Sequence, residues 1–198
     1  MNFKEVFSSR NLAKTAVLLA FVIVLQYFGS YIQIGTIRFS FVLVPIVLGS
    51  IIIGPINGGI LGLGFGIITI VMGLTGYDPF TGSLLQESPV GTILVCVIKS
   101  VAAGFLPGVF YRLLSKKNSK AAIYVSAVSA PVLNTSIFII GMLLMYKTLY
   151  KLGMLQSANI FYFLFIQAAG INFIVELLIN LLLVPVLANV IKVLTKEK

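Results

Sequence analysis

Histidine and tryptophan are absent from this chain of 198 residues, cysteine occurs once, and acidic residues number five against fourteen basic ones. Without histidine, and with Cys96 alone, the common His/Cys metal sites are excluded. One cysteine cannot form an internal disulfide, and inside an apolar segment Cys96 reads as a small buried residue. A membrane hydrolase needs a nucleophile with a base, or a metal held by paired ligands, and neither set is present, which argues against an enzyme. No Gly-rich phosphate loop precedes a helix, so the chain carries no ATPase of its own, and nothing calls for a cofactor. Charge as a whole is scarce: 10% of residues are charged, 59% are hydrophobic, and the mean hydropathy is +1.11. A soluble domain of this size could not cover that much apolar surface, so the bilayer is the solvent.

The charge-free stretches measure the spans. No Asp, Glu, Lys or Arg occurs in residues 15–37, 39–77, 121–146 or 152–175. A crossing helix needs about 20 apolar residues. The second stretch therefore holds two spans, divided near Gly54-Pro55, because proline resists helix interiors and restrains the residue before it. Two further apolar segments carry one charge each, Lys99 and Glu176. The expected fold is an all-α membrane protein of one domain over 1–198, with six transmembrane helices at about 12–32, 39–53, 56–74, 89–113, 121–146 and 159–187. The second is short, which implies that it is tilted, broken or walled in by neighbours. The first lacks a clear cleavage site and reads as a retained helix rather than a signal peptide.

Lysine and arginine set the orientation. Lys4, Arg10, Lys14, Arg112, Lys116, Lys117, Lys120, Lys192, Lys196 and Lys198 fall on the side that holds both termini and the loop between the fourth and fifth spans. That side is cytoplasmic by the positive-inside rule. The net charge of +9 is thus mostly topology. It is no evidence for nucleic acid, while contact with anionic headgroups of the bilayer fits it.

Two groups of residues carry functional expectations. Ala13, Ala16 and Ala20 share one face of the first span near its cytoplasmic end, and small residues at such spacing let another helix approach closely. Internal packing and docking of a partner helix both fit that face. Deeper in the membrane stand polar residues, which are normally paired or functional there. Helical rise puts Lys99 about 15 Å below the outer boundary, Asn134 about 10 Å, Gln167 and Asn172 about 12 and 20 Å, and Glu176 about 25 Å. Lys99, Asn134, Gln167 and Asn172 can meet as a polar site that offers a cation to an anionic ligand. Alternatively Lys99 pairs with Glu176, and the asparagines, Asn180 included, are interhelical glue. The outer connections 33–38, with Arg38, 76–87, with Tyr77, and 147–159 are either solvated loops or a lid that combines aromatic and polar groups. Gly58, Gly62 and Gly66 form a four-residue repeat on the third span, best read as packing within the molecule.

With Ala16 and Ala20 as an Ala-xxx-Ala pair in the first helix, the whole chain resembles the substrate-binding S components of energy-coupling factor (ECF) transporters. Size, helix count and cytoplasmic termini agree with that resemblance. It implies a multi-pass subunit of the cell membrane that binds a vitamin or metal from outside. Its first-helix alanines would face a coupling membrane protein, which carries two cytosolic ATPases, and its outer loops would close over substrate. The nickel and cobalt members use a His-containing motif, which this chain lacks, so a metal is not the expected cargo. Pro131 to Thr135 and the Asn172, Glu176, Asn180 face look most like a subgroup associated with pantothenate, and a lysine among amides suits a small carboxylate. Other vitamins remain open. The alternative is a stand-alone secondary transporter of a small organic solute. An S component should purify with its coupling protein and ATPases, whereas a secondary transporter works alone.

Overall fold

The computed structural model describes residues 8–29, 33–34, 37–38, 41–155 and 159–196, and at 33–34, 37–38, 167 and 190–196 it describes the backbone only. The elements in order are α1 (Ser9–Gly29), β1 (Gln33–Ile34), β2 (Ile37–Arg38), α2 (Leu43–Ile52), α3 (Pro55–Leu74), α4 (Pro79–Glu87), α5 (Pro89–Leu114), α6 (Ser119–Leu144), α7 (Tyr146–Lys151), α8 (Ile160–Tyr162), a π-helical turn (Phe163–Ala168) and α9 (Gly170–Lys196). Among the described residues the protein is helical apart from a two-residue antiparallel ladder that pairs Gln33 with Arg38 and Ile34 with Ile37.

Five helical segments are long and apolar enough to cross a membrane: Ser9–Gly29, Pro55–Leu74, Pro89–Leu114, Ser119–Leu144 and Ile160–Asn189. The segment expected as a span over 39–53 forms only the ten-residue α2, which at about 1.5 Å per residue reaches roughly half the hydrocarbon thickness. Its residues Leu43 through Ile51 are all buried. It is therefore a core helix, walled in by its neighbours rather than facing lipid. The break at Gly54-Pro55 is where proline chemistry puts it. Gly54 has φ +141°, which L side chains rarely adopt, and Pro55 opens α3 in the first turn, where its missing N–H has no partner to lose.

Glycine decides how closely α3 meets α5. A Cβ at Gly58 would overlap the Gly104 carbonyl, one at Gly62 the Ser100 carbonyl, and one at Gly66 would press on the Cys96 carbonyl. The repeat on α3 thus lies against Cys96, Ser100 and Gly104 at the same four-residue spacing on α5, and packs inside this chain. Cys96 is buried in that seam. Two polar clasps fix α1 to α3: Asn57 Nδ2 donates to Thr15 Oγ1 at 2.9 Å, and Gln26 Nε2 to Thr69 Oγ1 at 3.5 Å. Ser126 of α6 donates to the Pro107 carbonyl of α5 at 2.8 Å. Pro107, Pro131 and Pro185 all lie inside helices, tolerated because neighbouring groups can re-satisfy the freed backbone.

Three apolar clusters stack through the bundle. One joins Val44, Val47, Leu48 and Ile51 of α2 with Ile123, Ala127 and Ala130 of α6 and Val184 and Ala188 of α9. A second joins Val22, Val42, Leu43, Ile46, Leu61, Phe65 and Ala103. The third lies at the opposite end from the basic 115–118 loop and joins Leu84, Met142, Met145, Leu149, Leu155, Phe163 and Leu164. Short helices α4 and α7 occupy segments that the sequence presents as loops. Asp78 caps α4 by accepting from Thr81 N and Thr81 Oγ1, and Pro79 supplies a preset φ at its first position. Lys151 Nζ contacts Glu87 Oε1 at 2.7 Å and ties the two short helices together.

Candidate functional site

Between the first and third clusters the polar residues of α5, α6 and α9 meet around a cavity of about 150 Å³. Its walls are Lys99, Asn134, Thr135, Phe138, Ala168, Ala169, Asn172, Phe173 and Glu176. Periodicity accounts for the arrangement. On α6, Ala127 and Ala130 belong to the first cluster, Asn134 and Phe138 face the cavity, and Met142 and Met145 enter the third cluster. On α9, Asn172 and Glu176 stand one turn apart at the cavity, and Val184 and Ala188 continue the same helix into the first cluster. Apolar packing therefore flanks the chamber along the helix axes on both sides.

Lys99 Nζ donates to Asn134 Oδ1 at 3.3 Å, and Glu176 stands with both on the cavity wall. An amide has an acceptor at one end and donors at the other. Accepting from the ammonium uses the oxygen end and assigns the orientation of the group. Lys99 and Glu176 thus share one chamber, with the Asn134 amide bound to Lys99. Lys99 Nζ also stands 5.1 Å from the Phe65 ring centroid, a cation–π distance. Asn134 is buried, at 7% exposure, while Lys99 and Glu176 are half-buried. Below Glu176, Asn180 Nδ2 donates to the Glu176 backbone carbonyl at 2.8 Å, and Asn180 is fully buried.

The last transmembrane segment is not a continuous α-helix. Residues Phe163–Ala168 are π-helical, and Ala169 N bonds the Leu164 carbonyl five residues back at 3.0 Å. Such wide turns recur at functional sites. Here the turn brings the small residues Ala168 and Ala169 to the cavity wall.

Of the residues singled out from the sequence, Lys99, Asn134, Asn172 and Glu176 come together. Gln167 lies in the π-helical turn beside two wall residues, and its side chain is outside the described residues. Arg38 is paired through its backbone in β2, and its side chain is likewise outside the described residues. Tyr77 is half exposed just past α3, its ring 5.2 Å from that of Tyr27, and it does not line the cavity. Thr135, Phe138, Ala168, Ala169 and Phe173 complete the wall. Thr135 and Phe173 adjoin Asn134 and Asn172 in sequence and Phe138 follows Asn134 by one turn, a signal that was available. The alanines carried none.

Ala13, Ala16 and Ala20 are all exposed, on the side of α1 turned away from the buried Thr15, Val22 and Gly29. Internal packing therefore does not use the alanine face, which stands open between exposed Leu12, Val17 and Phe21.

A search among curated proteins returned no match. The family model for the ECF transporter substrate-specific component matches residues 10–188. With that match over most of a multi-helix membrane chain, this protein belongs to the ECF transporter substrate-specific component family, whose members are transport subunits of the cell membrane and not enzymes.

Proposed function

We propose that this chain is the high-affinity substrate-binding subunit of an ATP-driven importer, and that its substrate is a small vitamin with an anionic group, pantothenate being the best candidate. The observation that carries the reading is a cavity inside an otherwise apolar bundle into which α5, α6 and α9 bring Lys99, Asn134, Asn172 and Glu176. Charges at membrane depth cost about 2.5–3.5 kcal/mol each on insertion scales. Their grouping at one concave site favours a ligand function over scattered structural pairs. Lys99 supplies the cation for the ligand's acid. The cavity holds about 150 Å³, comparable to a space that takes a single small ring. A molecule as long as pantothenate would place one part there and extend toward the outer connections, where Arg38, Gln167 and Tyr77 are assigned to its upper contacts or lid.

The whole chain acts as one membrane domain, with α2 counted as a sixth, partial span, and with both termini and the basic 115–118 loop in the cytoplasm. The open face of Ala13, Ala16 and Ala20 receives helices of the coupling membrane protein, which carries two cytosolic ATPases. Affinity purification of the tagged chain from its own membranes tests this reading. Recovery of one membrane protein and two ATPases supports it, and recovery of the chain alone under conditions that keep other membrane complexes intact contradicts it.

A further inference from the structure

We infer that the buried part of the ligand is polar at two places: it carries an acidic group for Lys99 and a hydroxyl or ammonium donor for Glu176. This rests on the substrate-site reading above and adds the second requirement to it. Lys99 and Glu176 both line the same cavity, so the chamber presents charges of both signs. Asn134 accepts from the ammonium at 3.3 Å. An ammonium has three donors, and a carboxylate has about four acceptor sites. Both side chains are walls of the chamber, so a bound ligand comes within reach of each. A ligand bearing only an acid would bring a second negative charge toward Glu176 and leave that carboxylate's acceptors unmatched. A ligand bearing only donors would do the same to Lys99. A ligand with both matches each charge and needs no net charge from the protein. Thr135 and Asn172 can donate or accept beside either group, and Phe138 and Phe173 give the chamber its apolar walls.

The test uses the full chain purified in mild detergent. Compounds that wild-type protein retains are released by denaturation and identified by mass spectrometry. In parallel, pantothenate, pantothenol (a hydroxyl in place of the carboxylate) and the dideoxy analogue of pantothenate (carboxylate kept, hydroxyls removed) are titrated by thermal shift. The expected result is a retained compound with both an acid and a donor, or binding of pantothenate that weakens roughly ten- to a hundredfold with either analogue. Lys99→Gln should erase the preference for pantothenate over pantothenol, and Glu176→Gln the preference over the dideoxy analogue. The comparison of analogues on wild-type protein stands even if a variant fails to fold. A retained compound with only one kind of group, or equal binding of pantothenate and an analogue, overturns the inference while leaving the importer reading intact. A retained compound with both groups that is not pantothenate supports the inference and removes the vitamin assignment. No retained compound and no response to the three probes overturns both.

Discussion

Lys99 Nζ lies 3.3 Å from Asn134 Oδ1, across the junction of α5 and α6. Asn134 is the buried acceptor of the Lys99 ammonium. Asn134→Leu should cost about 1–3 kcal/mol of stability, the usual penalty for leaving buried polar groups without a partner. Thermal unfolding in detergent reads this directly. Unchanged stability would mean that this hydrogen bond carries no weight.

Lys99 is the acid-reading group in this account. Lys99→Met should weaken ligand binding by about 1.5–3 kcal/mol, the range for hydrogen bonds to charged groups. Combining it with Glu176→Gln should restore stability lost by the single change without restoring affinity. Titration of the retained ligand into folded variants checks both quantities. Full affinity in Lys99→Met would remove this residue from the site.

The α3–α5 seam admits no side chain at Gly62, where a Cβ would overlap the Ser100 carbonyl. Backbone cannot move aside as a flexible side chain does, so Gly62→Ala should destabilise by about 1–3 kcal/mol, as overpacking of a dense core does. At Gly76 a Cβ would meet nothing within 4 Å, but φ is +82°. Alanine there should be strained by backbone conformation alone, at about 1–2 kcal/mol. Melting temperatures of both variants test this, and an unchanged melting temperature in either would contradict it.

The sequence made much of this arrangement readable. Charge-free stretches located the long helices, Gly54-Pro55 located the break between α2 and α3, and helical rise put Lys99, Asn134 and Asn172 between about 10 and 20 Å below the outer boundary. The depth gap of about 10 Å between Lys99 and Glu176 was also visible from rise alone. The Lys99–Asn134 hydrogen bond was not, because rise along a helix says nothing about rotation or tilt. The π-helical turn was hidden inside an apolar run, Phe163 to Ile166, that has no polar period to betray a change of winding. Short α4 and α7 were hidden for the opposite reason: glycine, proline and polar residues mark turns, and burial of Leu84 and Leu149 in the third cluster overrode them. α2 ends where Gly54 and Pro55 break the backbone, and at ten residues it is shorter than a span.

The Glu87–Lys151 pair ties α4 to α7 at the end of the bundle away from the basic loop. Its hydrogen bond, with the added charge attraction of Glu87, raises the pKa of Lys151 above the ordinary lysine value. A raised lysine contributes stability that is fully present below its unfolded pKa and is lost as pH rises through the folded one. The difference in melting temperature between wild type and Glu87→Gln should therefore be small and flat through neutral pH, should shrink with salt, and should decline only as pH rises above the ordinary lysine pKa of about 10.4, vanishing above the raised folded value. A difference that grows with alkaline pH would contradict the pairing.

Ala13, Ala16 and Ala20 are exposed, and partner docking is proposed for their face. Replacing Ala16 and Ala20 together by Leu should block close helix approach and abolish uptake while leaving ligand binding intact. Co-purification of the coupling protein and a binding titration separate the two effects. Normal assembly by the double variant would show that the face has another use.

The central claim is that this chain binds but does not pump. No nucleotide motif occurs in the sequence, and Glu176 has no second acid or histidine beside it in α9. Binding shifts a conformational equilibrium only by differential affinity and cannot drive repeated uphill turnover. The direct measurement is accumulation of labelled ligand in liposomes that hold the chain with or without the coupling module and internal ATP. Accumulation should require both the module and hydrolysable ATP. Accumulation by the isolated chain under a proton or sodium gradient would contradict the account and establish a secondary transporter.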